Sequence, residues 1–93
     1  MTATFAKASI GATPEAITAS SILNKYGAEI KAVSTNTGIV YVGISDVTTA
    51  IGFPLSAGQS VLIPPAFVEN INEVFVVASA PGQEVRVIVY KPQ

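Results

Sequence analysis

Glu69 and Glu73 stand four residues apart in the stretch VENINE (residues 68–73). Paired carboxylates are the machinery of glycoside hydrolysis, one as acid and one as base or nucleophile. A polar stretch beside a strand more simply makes them solvated loop carboxylates. Asp46, followed by Thr48 and Thr49, suggests an oxygen-lined calcium loop. Calcium needs several oxygen ligands at fixed offsets, and the EF-hand spacing is absent. Asp46 therefore reads as a turn former whose carboxylate accepts backbone N–H bonds. The chain has no histidine and no cysteine, which removes the usual tuned bases and nucleophiles and the thiolate ligands of zinc. Its seven glycines are spread singly, so no phosphate-cradling loop appears. Tyr41, Tyr90, Phe53, Phe67 and Phe75 are enough aromatics to line a sugar site, though core or interface explains most of them more simply. The expectation is a protein that is not an enzyme, with no catalytic, cofactor or metal site.

Composition points to contacts instead. Ninety-three residues make one domain, which buries little more than ~60% of its unfolded surface. Such small domains are commonly reinforced by disulfides, a metal or partner subunits. Without cysteine or histidine, the remaining aid is association. The chain is 49% hydrophobic and only 12% charged, so a homo-oligomer or a partner-bound state is expected. The five basic residues, Lys7, Lys25, Lys31, Arg86 and Lys91, form no run, which argues against nucleic acid. No apolar stretch approaches a membrane span, and the start has no basic region leading into an apolar one, so folding in a cytoplasm is expected.

The elements that would position any contact surface are strands. Residues 1–12 are small and weakly patterned, with Phe5 and Ile10 the large apolar groups besides Met1. They read as an N-terminal arm, flexible or subunit-binding, or as an edge strand, ahead of a single β domain over 13–93. Few apolar side chains are there to offset the ~1–2 kcal/mol per residue of backbone ordering. The arm is therefore expected to add little to the isolated domain and to order on binding, with Phe5 as anchor. After Pro14, a short strand and a loop are favoured over a helix from Pro14 to Leu23, because Ile17, Thr18, Ser20, Ser21 and Ile22 are mediocre helix formers. AEIKAVST (28–35) alternates with period two, NTG (36–38) turns, and IVYVG (39–43) is rich in β-branched and aromatic residues, predicting a hairpin. AGQ (57–59) turns into the strand SVLI, which Pro64 and Pro65 end. VFVVASA (74–80) reads as a central strand covered on both faces. PGQ (81–83) leads into EVRVIVY (84–90), with Val85, Val87 and Val89 inward, predicting a second hairpin. Turns every dozen or so residues and no helical period predict an all-β antiparallel sandwich or barrel with short connections.

One order of residues resembles small structural proteins of tailed-bacteriophage virions. It runs Asn36-Thr37-Gly38, a strand with Tyr41-Val42-Gly43, then Ser45-Asp46-Val47-Thr48-Thr49, Gly52-Phe53-Pro54-Leu55 and Gly58, closing with Val85-Arg86-Val87. The likeness covers residues 28–90. Ile44 stands where a second glycine is expected, and Ile51 where a polar residue is common. Both departures make the loop more apolar.

The resemblance implies a small antiparallel β-sandwich or jelly-roll-like barrel without an active site. It implies a virion protein assembled in the host cytoplasm, most simply a capsid decoration or cement protein that stabilises the head shell. The alternatives are a neck or tail connector and a fibre-tip module that recognises host carbohydrate. Its partners would be the major capsid protein or other virion proteins and copies of itself, with no nucleic acid and no membrane. The expected interface residues are Phe5, Ile10, Ile44, Ile51, Phe53 and Leu55. Asn36, Gly38, Asp46, Gly52, Gly58 and Gly82 are expected to form turns, with Gly52 in a backbone conformation closed to β-branched residues. Phe53, Pro54 and Leu55 are expected to form an apolar plug that closes one end of the sandwich or docks on a neighbour.

Overall fold

The structure, a computed structural model, describes residues 2–90; Met1 of the expected arm and residues 91–93 of the expected β domain lie outside it. Eight strands form: β1 (Thr2–Ile10), β2 (Glu15–Ala16), β3 (Ala28–Ala32), β4 (Val40–Gly43), β5 (Phe53–Leu55), β6 (Ser60–Ile63), β7 (Phe75–Ala78) and β8 (Gln83–Tyr90). One 3-10 turn, Ile71–Glu73, precedes β7. The strands make two four-stranded antiparallel sheets, ordered β1-β8-β3-β6 and β2-β7-β4-β5.

That order has a simple origin. β1 pairs with β8, β2 with β7, β3 with β6 and β4 with β5, as if the chain were one long hairpin. The hairpin is then rolled so that β8 also meets β3 and β7 also meets β4. This is the jelly roll, a double-sheet sandwich. Its core is built from the alternating inward residues of both sheets, among them Ile30, Val40, Leu55, Val76, Val85, Val87 and Val89, all buried. β7 lies between β2 and β4 with Val76, Val77 and Ala78 buried, a central strand covered on both faces as its unbroken apolar run predicts.

Both predicted hairpins are in fact crossovers. β3 and β4 lie in different sheets, and so do β7 and β8. The chain turns at 33–39 and again at 79–82, but each turn carries it across the sandwich. A buried amide explains why. Gln83 Oε1 accepts from the backbone N–H groups of Thr37 and Gly38, both at 2.9 Å, and its Nε2 donates to the Pro81 carbonyl at 2.8 Å. Beside it, Asn36 Nδ2 donates to the Glu84 carbonyl and Asn36 Oδ1 accepts from the Glu84 N–H, each at 2.9 Å. The two connections are tied to each other, so neither closes a local hairpin. Among the described residues the one hairpin between consecutive strands is β4–β5, around residues 44–52.

The expected N-terminal arm is strand β1. It pairs with β8 from Thr2 to Lys7, then slips register before Ile10 meets Gln83, with Ser9 at a φ of 58° in the irregularity. The small residues of this segment hide any hydropathy alternation, and the backbone ladder to β8 does the ordering. Ile10 is fully buried and Phe5 packs partly against the core, so both serve the protomer's own fold. No helix forms over 14–23; the two-residue β2 gives way to irregular backbone.

Candidate interaction surface

The β4–β5 hairpin begins with a tight turn in which the Val47 N–H donates to the Ile44 carbonyl at 2.9 Å. It closes on Thr48, whose carbonyl accepts from Gly52 N–H at 2.8 Å and whose hydroxyl accepts from Ala50 N–H at 3.2 Å. Thr48 thus does the folding expected of Asp46. The Asp46 carboxylate is exposed and makes no hydrogen bond or ion pair among the described residues.

The plug of this loop is Val47. It is buried outside the main core, and two glycines leave room for it. A Cβ on Gly43 would lie 2.8 Å from Val47 Cγ2, and one on Gly52 would lie 2.8 Å from the same atom and 2.5 Å from Tyr41 Cβ. Gly52 has no positive φ, so its requirement is space and not the special backbone conformation that was expected. Among the glycines expected in turns, Gly58 and Gly82, at φ of 83° and 77°, do adopt the left-handed conformation, as does Gly27 at 95°. Gly38 again is required by space, since its Cβ would lie 2.8 Å from Ser79 Oγ. Asn36 forms its turn through the side-chain bonds to Glu84.

The expected plug residues part company. Leu55 faces Val40 and is buried in the core, which removes it from the interface candidates along with Ile10 and leaves Phe5 a partly buried core neighbour. Phe53 is 56% exposed, Ile51 68% and Ile44 46%. These three line one depression of about 360 Å³, and Phe67, 45% exposed, completes it from the β6–β7 connection. Asp46 stands in the same lining as its one charged group. Three of the six expected interface residues therefore converge, and Phe67, which reads equally well as core, joins them through a contact far away in sequence.

A second hollow, about 500 Å³, is lined by Tyr41, Val47, Thr48, Thr49, Val77 and Ser79 among others. The carboxylates weighed as a catalytic pair are exposed, and Glu73 Oε2 accepts from the Asn70 N–H at 2.9 Å, capping the 3-10 turn. Among the described residues no three acidic side chains converge. Tyr90 is half-buried and its hydroxyl donates to Glu29 Oε1 at 3.4 Å. Two buried amides escaped the sequence reading, Gln83 and Asn24. Asn24 Nδ2 donates to the Pro64 and Val68 carbonyls and so clamps the β6–β7 connection that carries Phe67. Their polarity reads as surface, and only the crossovers they bridge reveal the need for them.

Comparison with protein-family models, with curated proteins and with solved structures finds no match to this chain.

Proposed function

We propose that this chain is a non-enzymatic structural protein of a tailed-phage virion, a decoration or cement protein that docks on the head shell. The observation that carries the reading is the exposed apolar depression around Ile44, Ile51, Phe53 and Phe67. Ile44 and Ile51 are the two positions at which the chain departs from the resembling pattern, and both departures add apolar surface to one place. Large side chains exposed together on a small domain mark contact sites. The jelly roll recurs in viral shell proteins, an analogy of fold that raises the reading without carrying it. The partners are the major capsid protein and neighbouring virion proteins. Mass spectrometry of purified particles tests this reading. A copy number that scales with the capsomers supports cement; a single ring's worth indicates a neck or tail connector, and absence from particles overturns the proposal.

A second reading, a fibre-tip module for host carbohydrate, draws on the other hollow. Jelly rolls also serve lectins, and there Tyr41 offers an aromatic face beside the hydroxyls of Thr48, Thr49 and Ser79. Two of those hydroxyls already accept backbone bonds, Thr48 from Ala50 and Ser79 from Ile39, which weakens it as a sugar site. Glycan-array binding lost in Tyr41→Ala would favour this reading over cement.

A further inference from the structure

The sheets have four edges, and three are blunted. β5 carries Pro54, which has no N–H to offer. β2 has two residues and follows Pro14. β1 carries Lys7, ion-paired to Glu15, and the irregularity at Ser9. Lysine, proline, bulges and short length are the devices by which natural sheets prevent edge pairing. β6, Ser60-Val61-Leu62-Ile63, carries no lysine, proline or bulge within its four residues, and Leu62 is 62% exposed.

The hydrogen-bond phase shows what this edge presents. Ala32 N–H donates to the Gln59 carbonyl at 2.9 Å, and β3 and β6 continue in the same register through Ile30 opposite Val61 and Ala28 opposite Ile63. Bonded pairs alternate along an antiparallel ladder, so Val61 and Ile63 turn their backbone groups toward β3. Ser60 and Leu62 aim theirs at open solvent.

We propose that β6 pairs antiparallel with β6 of a second copy about a two-fold axis at Val61, joining the two β1-β8-β3-β6 sheets into one of eight strands. Any register centred on a residue keeps the inward and outward faces aligned, and the two centred on Val61 and Leu62, the middle of β6, overlap the strands most. With Val61 opposite the partner's Val61, Ser60 and the partner's Leu62 exchange two backbone bonds, and the symmetric pair does the same. With Leu62 opposite the partner's Leu62, Ser60 falls opposite the partner's Pro64, which lacks a donor. Charge selects the same register. On the outer face Ser60 lies beside Lys31 and Leu62 beside Glu29. In the first register each row therefore runs Lys31, Ser60, the partner's Leu62, the partner's Glu29. The opposite charges flank the junction at about 14 Å between Cα atoms, three strand spacings, with Ser60 and the partner's Leu62 between them. The second register sets Glu29 against the partner's Glu29 across two leucines. This pairing stands independently of the virion reading and is assayed without particles.

The chain has no cysteine, so single-cysteine variants of the full protein report the register directly. Residues opposite at a non-bonded antiparallel pair lie within disulfide reach. Val61→Cys is expected to form a disulfide-linked dimer under mild oxidation, and Leu62→Cys is expected to stay largely uncrosslinked. In sedimentation, the wild type runs at twice the protomer mass, and Leu62→Lys runs as a folded monomer that still melts cooperatively, without the concentration dependence that dimerisation gives the wild type. A monomeric wild type whose Val61→Cys variant fails to crosslink overturns the pairing. So does a folded Leu62→Lys that remains a dimer, and crosslinking through Leu62→Cys in place of Val61→Cys overturns the register. Should Leu62→Lys fail to fold, the two cysteine variants decide.

Discussion

The two ends of β4 are built on opposite plans. At its start, the connections over 33–39 and 79–82 are held by Asn36 and Gln83, and Gln83 is 1% exposed with both ends of its amide bonded. At its finish, the 44–52 hairpin seats Val47 in a glycine-lined notch and leaves Ile44, Ile51 and Phe53 facing solvent. The first end is polar, buried and satisfied within the protomer. The second is apolar, open and unsatisfied. Hydrogen bonds between chosen backbone groups specify one path for the chain, because a buried donor left unpaired costs about 1–3 kcal/mol. Exposed apolar surface specifies nothing inside the protomer and gains only when something covers it. The contrast assigns the fold's topology to one end and supports assigning recognition to the other.

That division makes predictions of graded size. Deleting residues 1–12 removes β1, the strand whose Ile10 lies opposite Gln83 at the polar end. It strips the β8 edge of its partner, and the expected outcome is loss of the cooperative thermal transition. Survival of that transition would return the segment to the role of a dispensable arm. Next is Gln83→Ala, which orphans the N–H groups of Thr37 and Gly38 and is expected to cost about 3 kcal/mol or more in denaturant melts. A cost near that of a surface substitution would show that the crossovers hold without the amide.

At the other end the expected effects are smaller and divide between stability and binding. Gly52→Val drives a side chain into Tyr41 and Val47 and is expected to cost about 1–3 kcal/mol of stability by overpacking. Ile51→Ser, one residue away and largely exposed, is expected to stay within about 0.5 kcal/mol of the wild type. Equal losses for these neighbours would mean that Ile51 supports the fold and that the open end is closed in solution.

Strand periodicity made much of this legible. The alternation at Ala28–Ala32 and Gln83–Tyr90 and the apolar run in β7 come through because side-chain burial repeats along a strand. Topology did not. NTG and PGQ have turn chemistry that suits a hairpin and a crossover equally, and the choice lies with Asn36 and Gln83, which act on residues more than forty positions away. β1 was hard to read because Thr, Ala and Ser reveal no face, although the chain pairs there through its backbone. In the hairpin, Ile51 and Phe53 stood out as apolar residues in a loop. Leu55, two residues after Phe53, has the same character and points into the core, while Phe67 joins the depression from another loop. Phe53 and Leu55 share one face of β5, opposite Val42 and Val40, and only their depth along the strand separates them, Leu55 buried in the core and Phe53 open at its rim.

The most direct test is to pair Ile51→Ser with Phe53→Ser and measure cosedimentation of the double variant with phage heads stripped of this protein. The expected variant melts with the wild type and no longer sediments with the heads. Heads that carry the folded double variant at wild-type occupancy would contradict the claim that the hairpin end of β4 is the surface that docks.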